Sequence, residues 1–141
     1  MMNLLLDELG ASETKTFAYP CGDLTAGDSS YVSALGDLFL AARTVQGQLE
    51  SIADMDLLQI GSYVMSNHSA EAMAALVDRA IEAEALIVFL FHGVGGDHSL
   101  NVTAEDHAGL IRHLDARADE IWVAPLAEIA AFVQRGGSDT R

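Results

Sequence analysis

Positive charge is what this sequence has least of: 7 Lys and Arg stand against 21 Asp and Glu, a net charge of −14. A field of that sign repels polyanions and anionic bilayers, so no nucleic acid and no membrane is expected as a partner. Cysteine is scarcer still. Cys21 is the single one, which excludes an intramolecular disulfide. No apolar run approaches the roughly 20 residues that span a bilayer; the longest, residues 85–91, has the length of a buried strand. The opening Met1-Met2-Asn3-Leu4-Leu5-Leu6-Asp7 lacks the basic stretch that begins a secretory signal. The chain as written is therefore expected to stay in the cytoplasm. What the sequence does have is apolar content, 50% of its 141 residues. That excludes disorder and suits one compact domain over residues 1–135, with a frayed tail at 136–141.

Short strand-like runs alternate with helical ones, the pattern of an α/β layer with parallel strands. Residues 3–9 read as a short helix and 14–19 as a strand stopped by Pro20 and Gly22. A polar loop is expected at 22–30, a helix at 31–38, and strands at 39–44 and 57–64. The signal then sharpens. Met73, Leu76, Val77 and Ala80 recur at helical spacing, predicting an amphipathic helix over 70–84. Residues 86–92 are apolar except for the closing histidine, which suits a strand covered on both faces. Thr103 reads as a helix N-cap with Glu105 and Asp106 in the first turn and His107, Leu110, Ile111 and Leu114 on one face. A last strand is expected at 120–124, and Pro125 starts a helix with Leu126, Ile129, Ala130 and Val133 inward.

The strongest local feature is Phe89-Leu90-Phe91-His92-Gly93-Val94-Gly95-Gly96-Asp97-His98. In parallel α/β folds, functional groups gather where strands end and loops begin. His92 falls there, followed by glycines that let the backbone turn and a ligand approach. Strand alternation puts Leu90 and His92 on one face. The competing reading is a histidine tied to a carbonyl at a tight turn. A second strand end, Phe17-Ala18-Tyr19-Pro20-Cys21-Gly22, also breaks into a glycine loop. There Cys21 reads as a nucleophile or, with more weight, as a buried structural thiol. His92, Asp97 and His98 offer imidazole and carboxylate donors that suit zinc, with His68 and His107 more remote. His107 fits a core position and His113 a solvated one. Arg43, the one basic residue between Lys15 and Arg79, fits an anion-binding role or, with more weight, a surface ion pair. Trp122 fits either sugar stacking or the core. Gly93 to Gly96 as a nucleotide-binding loop is the weakest reading, since no lysine follows the glycines.

Leu90-Phe91-His92 resembles the Leu-x-His motif of polysaccharide deacetylases (the NodB-homology family). Phe17 to Gly22 is similar to that family's Arg-x-Pro loop in its Ala-Tyr-Pro variant, and Ile121-Trp122-Val123-Ala124-Pro125 resembles its last strand and helix. The resemblance covers roughly residues 4–133 and corresponds to the C-terminal half of the family's domain. It implies an α/β fold, half of a distorted β/α barrel with mainly parallel strands. It also implies metal-assisted removal of N- or O-acetyl groups from sugars. By that resemblance His92 is the general acid, Leu90 lines the acyl pocket, the N–H of Cys21 is an oxyanion donor, and Tyr19, Pro20 and Trp122 join the substrate site.

The family's ligand and base segments, a Thr-Phe-Asp-Asp strand and a His-x-x-x-His stretch, do not occur in this sequence, and Ala18 replaces the motif's arginine. The divalent metal (zinc or similar) of the intact family is thus not expected on this chain alone. An acetylated carbohydrate is the expected ligand, and a homodimer or partner chain is expected to cover the open sheet edge. The alternative is an inactive family member serving as a binding or interaction module.

Overall fold

In a computed structural model the described residues are Glu8 and 15–136. In chain order they form strand β1 (Thr16–Ala18), a 3-10 turn (Pro20–Gly22), β2 (Thr25–Ala26), β3 (Ser29–Ser30), helix α1 (Val32–Leu35) and β4 (Ala41–Arg43). There follow β5 (Glu50–Ser51), β6 (Tyr63–Met65), α2 (Ala70–Glu82), β7 (Ala85–Leu86), β8 (Phe89–Phe91), α3 (Ala104–Ala116) and α4 (Leu126–Gln134). The architecture is mixed α/β. Among the described residues the strands form four two-stranded ladders, two parallel and two antiparallel. The expected predominance of parallel pairing is therefore only half met. The helices expected over residues 3–9 and the tail at 136–141 lie outside the described residues, save for Glu8 and Gly136. No described helix is long and apolar enough to cross a membrane.

The chain divides into two compact units. The first takes in the described residues of Met1–Thr44, Met55–Ile60 and Ala124–Arg141; the second comprises Val45–Asp54 and Gly61–Val123.

In the first unit β1 and β4 run parallel, in register Thr16↔Ala41, Phe17↔Ala42 and Ala18↔Arg43. The other edge of β4 meets residues 57–60. Ala42 N–H donates to Leu57 O at 2.7 Å, Ile60 N–H to Ala42 O at 2.9 Å, and Thr44 N–H to Ile60 O at 2.7 Å. Paired on both sides, β4 carries small fully buried residues, Ala41 and Ala42. Tyr19, Leu35, Phe39 and Ala42 form the core here, with the Phe17 ring edge-on to Tyr19 at 5.5 Å.

Two expectations are corrected in this unit. The loop at 22–30 contains a hairpin, β2 with β3, whose two-residue turn starts at Gly27 with φ of 61°. Positive φ at the first turn residue is what glycine there permits. The helix expected over 31–38 is a single turn, after which the N–H groups of Leu38 and Phe39 both converge on Leu35 O. Pro125 does precede α4, its carbonyl accepting from Glu128 and Ile129.

The second unit is built on β6 and β8, parallel with Val64 opposite Leu90, joined by α2 as crossover. Met65, Met73, Val77, Val102 and Leu110 form its core, flanked by Tyr63, Phe89 and Phe91. The spacing that predicts α2 holds: Met73, Val77 and Ala80 are its buried residues. Both long helices are capped as their sequences dictate. Ser69 Oγ accepts from Ala72 N–H at 3.2 Å, and Thr103 Oγ1 accepts from Asp106 N–H at 3.0 Å. The two helices cross closely at Gly109, where an added Cβ would overlap that of Ala70.

The run at 86–92 is not the doubly covered strand its composition suggests. Ala85–Leu86 pairs antiparallel with β5, Phe89–Phe91 pairs with β6, and only Leu90 is buried. The run expected at 57–64 breaks similarly, Ile60 bridging to Arg43 before β6 begins. The stretch 120–124 joins no ladder among the described residues. Ile111, expected on the apolar face of α3, is 50% exposed.

Candidate functional site

His92 directly follows β8, at the C-terminal end of the parallel pair. The chain beyond it folds back on itself: Gly95 N–H donates to Val102 O at 2.8 Å and Val102 N–H to Gly93 O at 3.2 Å. Asn101 closes the loop from inside, Oδ1 accepting from Gly96 N–H at 3.2 Å. A side chain at position 93 would meet that same Oδ1 at 3.1 Å, so glycine leaves the asparagine its place. The loop is tied to the one after β6 through Asn67 N–H to Asn101 O, 2.7 Å.

Two histidines serve as acceptors in these loops. His98 Nδ1 takes the Leu100 N–H and His68 Nδ1 takes the Ser66 N–H, each at 3.0 Å. A ring nitrogen that accepts carries no proton, so each ring in its neutral form holds its hydrogen on Nε2. His92 differs. Its ring stacks on His98, centroids 5.6 Å apart and planes 19° from parallel. It is exposed, and no hydrogen bond among the described residues ties it to a carbonyl. Leu90, one alternation back on the strand, is buried at 8% exposure. In a stack of this kind the faces of the two imidazoles meet rather than their lone pairs. Among the described residues no three His, Cys, Asp or Glu side chains are placed to hold a metal ion. The donors His92, Asp97 and His98 do not fit the zinc site their spacing permits.

The remaining histidines sit on α3. The His107 ring lies edge-on to Phe91 at 5.1 Å, as a core position implies. His113 corrects the expectation of a solvated side chain. Its Nε2 lies 2.9 Å from Asp78 Oδ1, and Arg117 Nη2 donates to the same oxygen at 2.9 Å. The packing of α2 against α3 puts Asp78 within reach of both. Arg117 also donates to Glu120 at 2.8 Å, and these carboxylates, Glu120 foremost, raise its pKa.

Tyr19, Pro20 and Cys21 lie in the first unit, after β1. Tyr19 is 2% exposed and turns inward, its hydroxyl donating to Leu58 O at 2.8 Å. Burial, with smaller effects from Tyr31 and Asp56, pushes that hydroxyl above its ordinary pKa and keeps it a donor. Its place is in the core, leaving Pro20 and Cys21 as the exposed residues of the loop. Cys21 is an exposed free thiol, not the buried one expected, because the turn holds it at φ 55° and ψ 8° with the side chain outward. That left-handed conformation is strained for a residue with a Cβ. Its neighbours' amides are bonded, Gly22 N–H to Tyr19 O and Asp23 N–H to Pro20 O, while among the described residues the Cys21 N–H makes no main-chain bond.

Arg43 ends β4 opposite Ala18. The surface ion pair expected of it is absent among the described residues. Trp122, 48% exposed in its irregular stretch, is not a core tryptophan.

A cleft of about 520 Å³ opens at the N-terminal ends of β1 and β4, walled by Lys15, Phe39, Leu40, Leu58 and Ala131 among others. It lies away from the Pro20–Cys21 turn, and none of the candidate residues lines it.

Compared with family models, curated proteins and solved structures, the chain matches none of them.

Sequence reasoning missed Glu50, a buried carboxylate whose Oε1 accepts from Gly61 N–H at 2.6 Å and Gln48 Nε2 at 2.8 Å. No local pattern distinguishes it from the chain's solvated acids. It also missed the Asp78 hub, whose partners lie 35 and 39 residues away.

Proposed function

We propose that the chain is a carbohydrate-deacetylase-like hydrolase domain, incomplete by itself because the family's metal-ligand and base segments do not occur in its sequence, directed at N- or O-acetyl groups of sugars with His92 as its general acid. One observation carries the reading: His92 is an exposed imidazole at the C-terminal end of a parallel strand pair, braced by a stacked neighbour and, among the described residues, making no hydrogen bond that would occupy its nitrogens. A general acid needs a positioned ring whose proton is free to leave. Water adds to the acyl carbon, and protonated His92 gives its proton to the departing nitrogen or oxygen as the bond from that atom to the acyl carbon breaks, leaving acetate and the free amine or alcohol. Leu90 supplies an apolar wall beside the ring, and exposed Trp122 a face on which a sugar can stack. The half-barrel reading of the fold and a second chain covering an open sheet edge belong to the same proposal.

Positioned proton transfer is worth roughly 10²–10⁴-fold in rate. Acetate release from N-acetylglucosamine oligomers and from O-acetylated xylan, measured with and without the protein, tests it. With the family's metal-ligand and base segments absent from the sequence, any release above the buffer background should be small, and it should fall to background in His92→Ala, with Tm unchanged. Equal rates in the two proteins would remove His92 from the chemistry. Release at background in both would favour the interaction-module reading, and a fall in Tm would make His92 a structural residue.

A further inference from the structure

Arg43 is a strand-anchored cation of the first unit that makes no ion pair among the described residues. Its backbone is fixed on both sides: its carbonyl accepts from Tyr19 N–H at 3.1 Å, and it bridges Ile60 in parallel on the other edge of β4. Its side chain leaves the strand beside that of Ala18, because partners in register project to the same face of a sheet. Ala18 offers only a methyl group there and no partner for the guanidinium. None of the ion pairs among the described residues includes Arg43, although the chain has 21 acidic residues from which a partner could have come. Its Nη1 is shut off from water and has no hydrogen-bond partner. The residue as a whole is only part-buried.

A buried donor left without an acceptor is a standing cost to the folded state. Burial alone lowers the pKa of this group, with no carboxylate to oppose it. Arginine nevertheless remains charged at any physiological pH. The position, at the C-terminal end of a parallel pair, is where α/β proteins receive ligands. From this arrangement we infer that Arg43 is a ligand-binding residue for a carboxylate, which pairs with the guanidinium through Nε and Nη2 and balances a charge that no acid among the described residues balances.

The chemistry selects the class. A planar carboxylate matches the guanidinium fork with two parallel bonds. A single unpaired cation balances a single negative charge, whereas a dianionic phosphate would carry a second one into the field of a chain already at −14. The carboxylate of a small molecule and that of an acidic side chain share this chemistry. The inference does not depend on the role proposed for His92.

The test is a titration of the wild-type chain with sodium acetate against sodium chloride at matched ionic strength. It is followed through the ¹⁵N side-chain resonance of Arg43 and through Tm, with Arg43→Gln, Arg43→Lys and Arg43→Met alongside. Acetate should move the Arg43 resonance saturably and raise Tm where chloride does neither. Arg43→Gln should weaken the effect by about tenfold or more, as expected for loss of a charge-assisted hydrogen bond. Arg43→Lys should recover only part of it, since an ammonium cannot form the fork. Without acetate, Arg43→Met should be at least as stable as wild type, because it removes an unsatisfied donor. A response confined to concentrated protein would assign the carboxylate to a second copy of the chain, and one independent of protein concentration to the free small molecule. Three results would overturn the inference: no acetate response in wild type, a response to phosphate but not acetate, or a Tm several degrees lower in Arg43→Met.

Discussion

The two parallel strand pairs, β1 with β4 and β6 with β8, end in loops that handle their polar groups in opposite ways. After β8 the loop is closed by side chains that accept from the main chain, Asn101 from Gly96 and His98 from Leu100, and by a main-chain bond to the neighbouring loop, Asn67 N–H to Asn101 O. His92 makes no hydrogen bond among the described residues. After β1 the turn is tight and strained at Cys21, and the end of β4 beside it carries a guanidinium nitrogen that nothing satisfies. The supports differ as well. Two capped 13-residue helices pack on β6 and β8, whereas Leu35 in one helical turn, Phe39, the Tyr19 ring and the nine-residue α4 pack against β4. A strand end that retains an unsatisfied charge is harder to explain by folding alone, and the carboxylate inferred for Arg43 accounts for it.

If the β6/β8 end depends on its helices, opening a cavity beneath them should do the most damage. Met73 is fully buried at the centre of that core. Met73→Ala is expected to cost about 2–5 kcal/mol in urea unfolding, the range for large-to-small core changes. A loss below 1 kcal/mol, about the transfer value of a single buried CH₂, would mean that the helices collapse onto the gap and support the loop less rigidly than proposed. The β1/β4 end should be less sensitive to any single deletion. Tyr19→Phe keeps the ring and removes the one bond that fastens it to Leu58. It should cost about 1 kcal/mol, the usual net value of a hydrogen bond. A larger loss would show that the Pro20–Cys21 turn is held chiefly by that hydroxyl.

What was legible in the sequence divides along the same line. Helix α2 could be read because its evidence is local: four apolar residues at helical spacing and a serine just before them. Thr103 was readable as a cap for the same reason, and Pro125 as a helix start. Strands fared worse, because a strand is defined by a partner that its own residues do not name. Residues 86–92 look uniform, yet they serve two ladders of opposite sense, and 120–124 has strand composition without a ladder. The hairpin at 25–30 was within reach, since a Gly27-Asp28 pair between short polar runs is a hairpin signal that the polar reading overrode. Of the candidate site, the position of His92 at a strand end was legible. The inward turn of Tyr19 and the exposure of Cys21 were not, because both depend on one backbone torsion. The link from His113 to Asp78 arises only when two helices pack, and the isolation of Arg43 only when every acid in reach has been placed.

The smallest effect concerns Asp106, where one carboxylate serves the N-termini of both helices beneath the His92 loop. Its Oδ1 accepts the Ala70 N–H at 2.9 Å and its Oδ2 the Thr103 hydroxyl at 2.5 Å. The bond from Thr103, then that from Ala70, holds its pKa below the ordinary aspartate value of 3.8. Both helix dipoles favour the same negative charge. A carboxyl whose pKa is lower folded than unfolded binds fewer protons in the native state. Its contribution is therefore full above the unfolded value and lost as the pH falls through the folded one. Asp106→Ala should accordingly be less stable than wild type at neutral pH, and the difference should shrink as the pH drops below 3.8. Glu71, whose pKa is lowered by its own backbone N–H and by Ser69, titrates in the same direction. Because Glu71 is present in both proteins, most of its effect cancels in the comparison. Removing Asp106 also removes a like charge from beside Glu71, which makes the measured difference a lower bound on what the Asp106 contacts contribute. Urea midpoints of the two proteins across an acid series decide the matter. A gap that stays constant into strong acid would mean that Asp106 acts through packing rather than charge, and the carboxylate would then not be what joins the two helix starts.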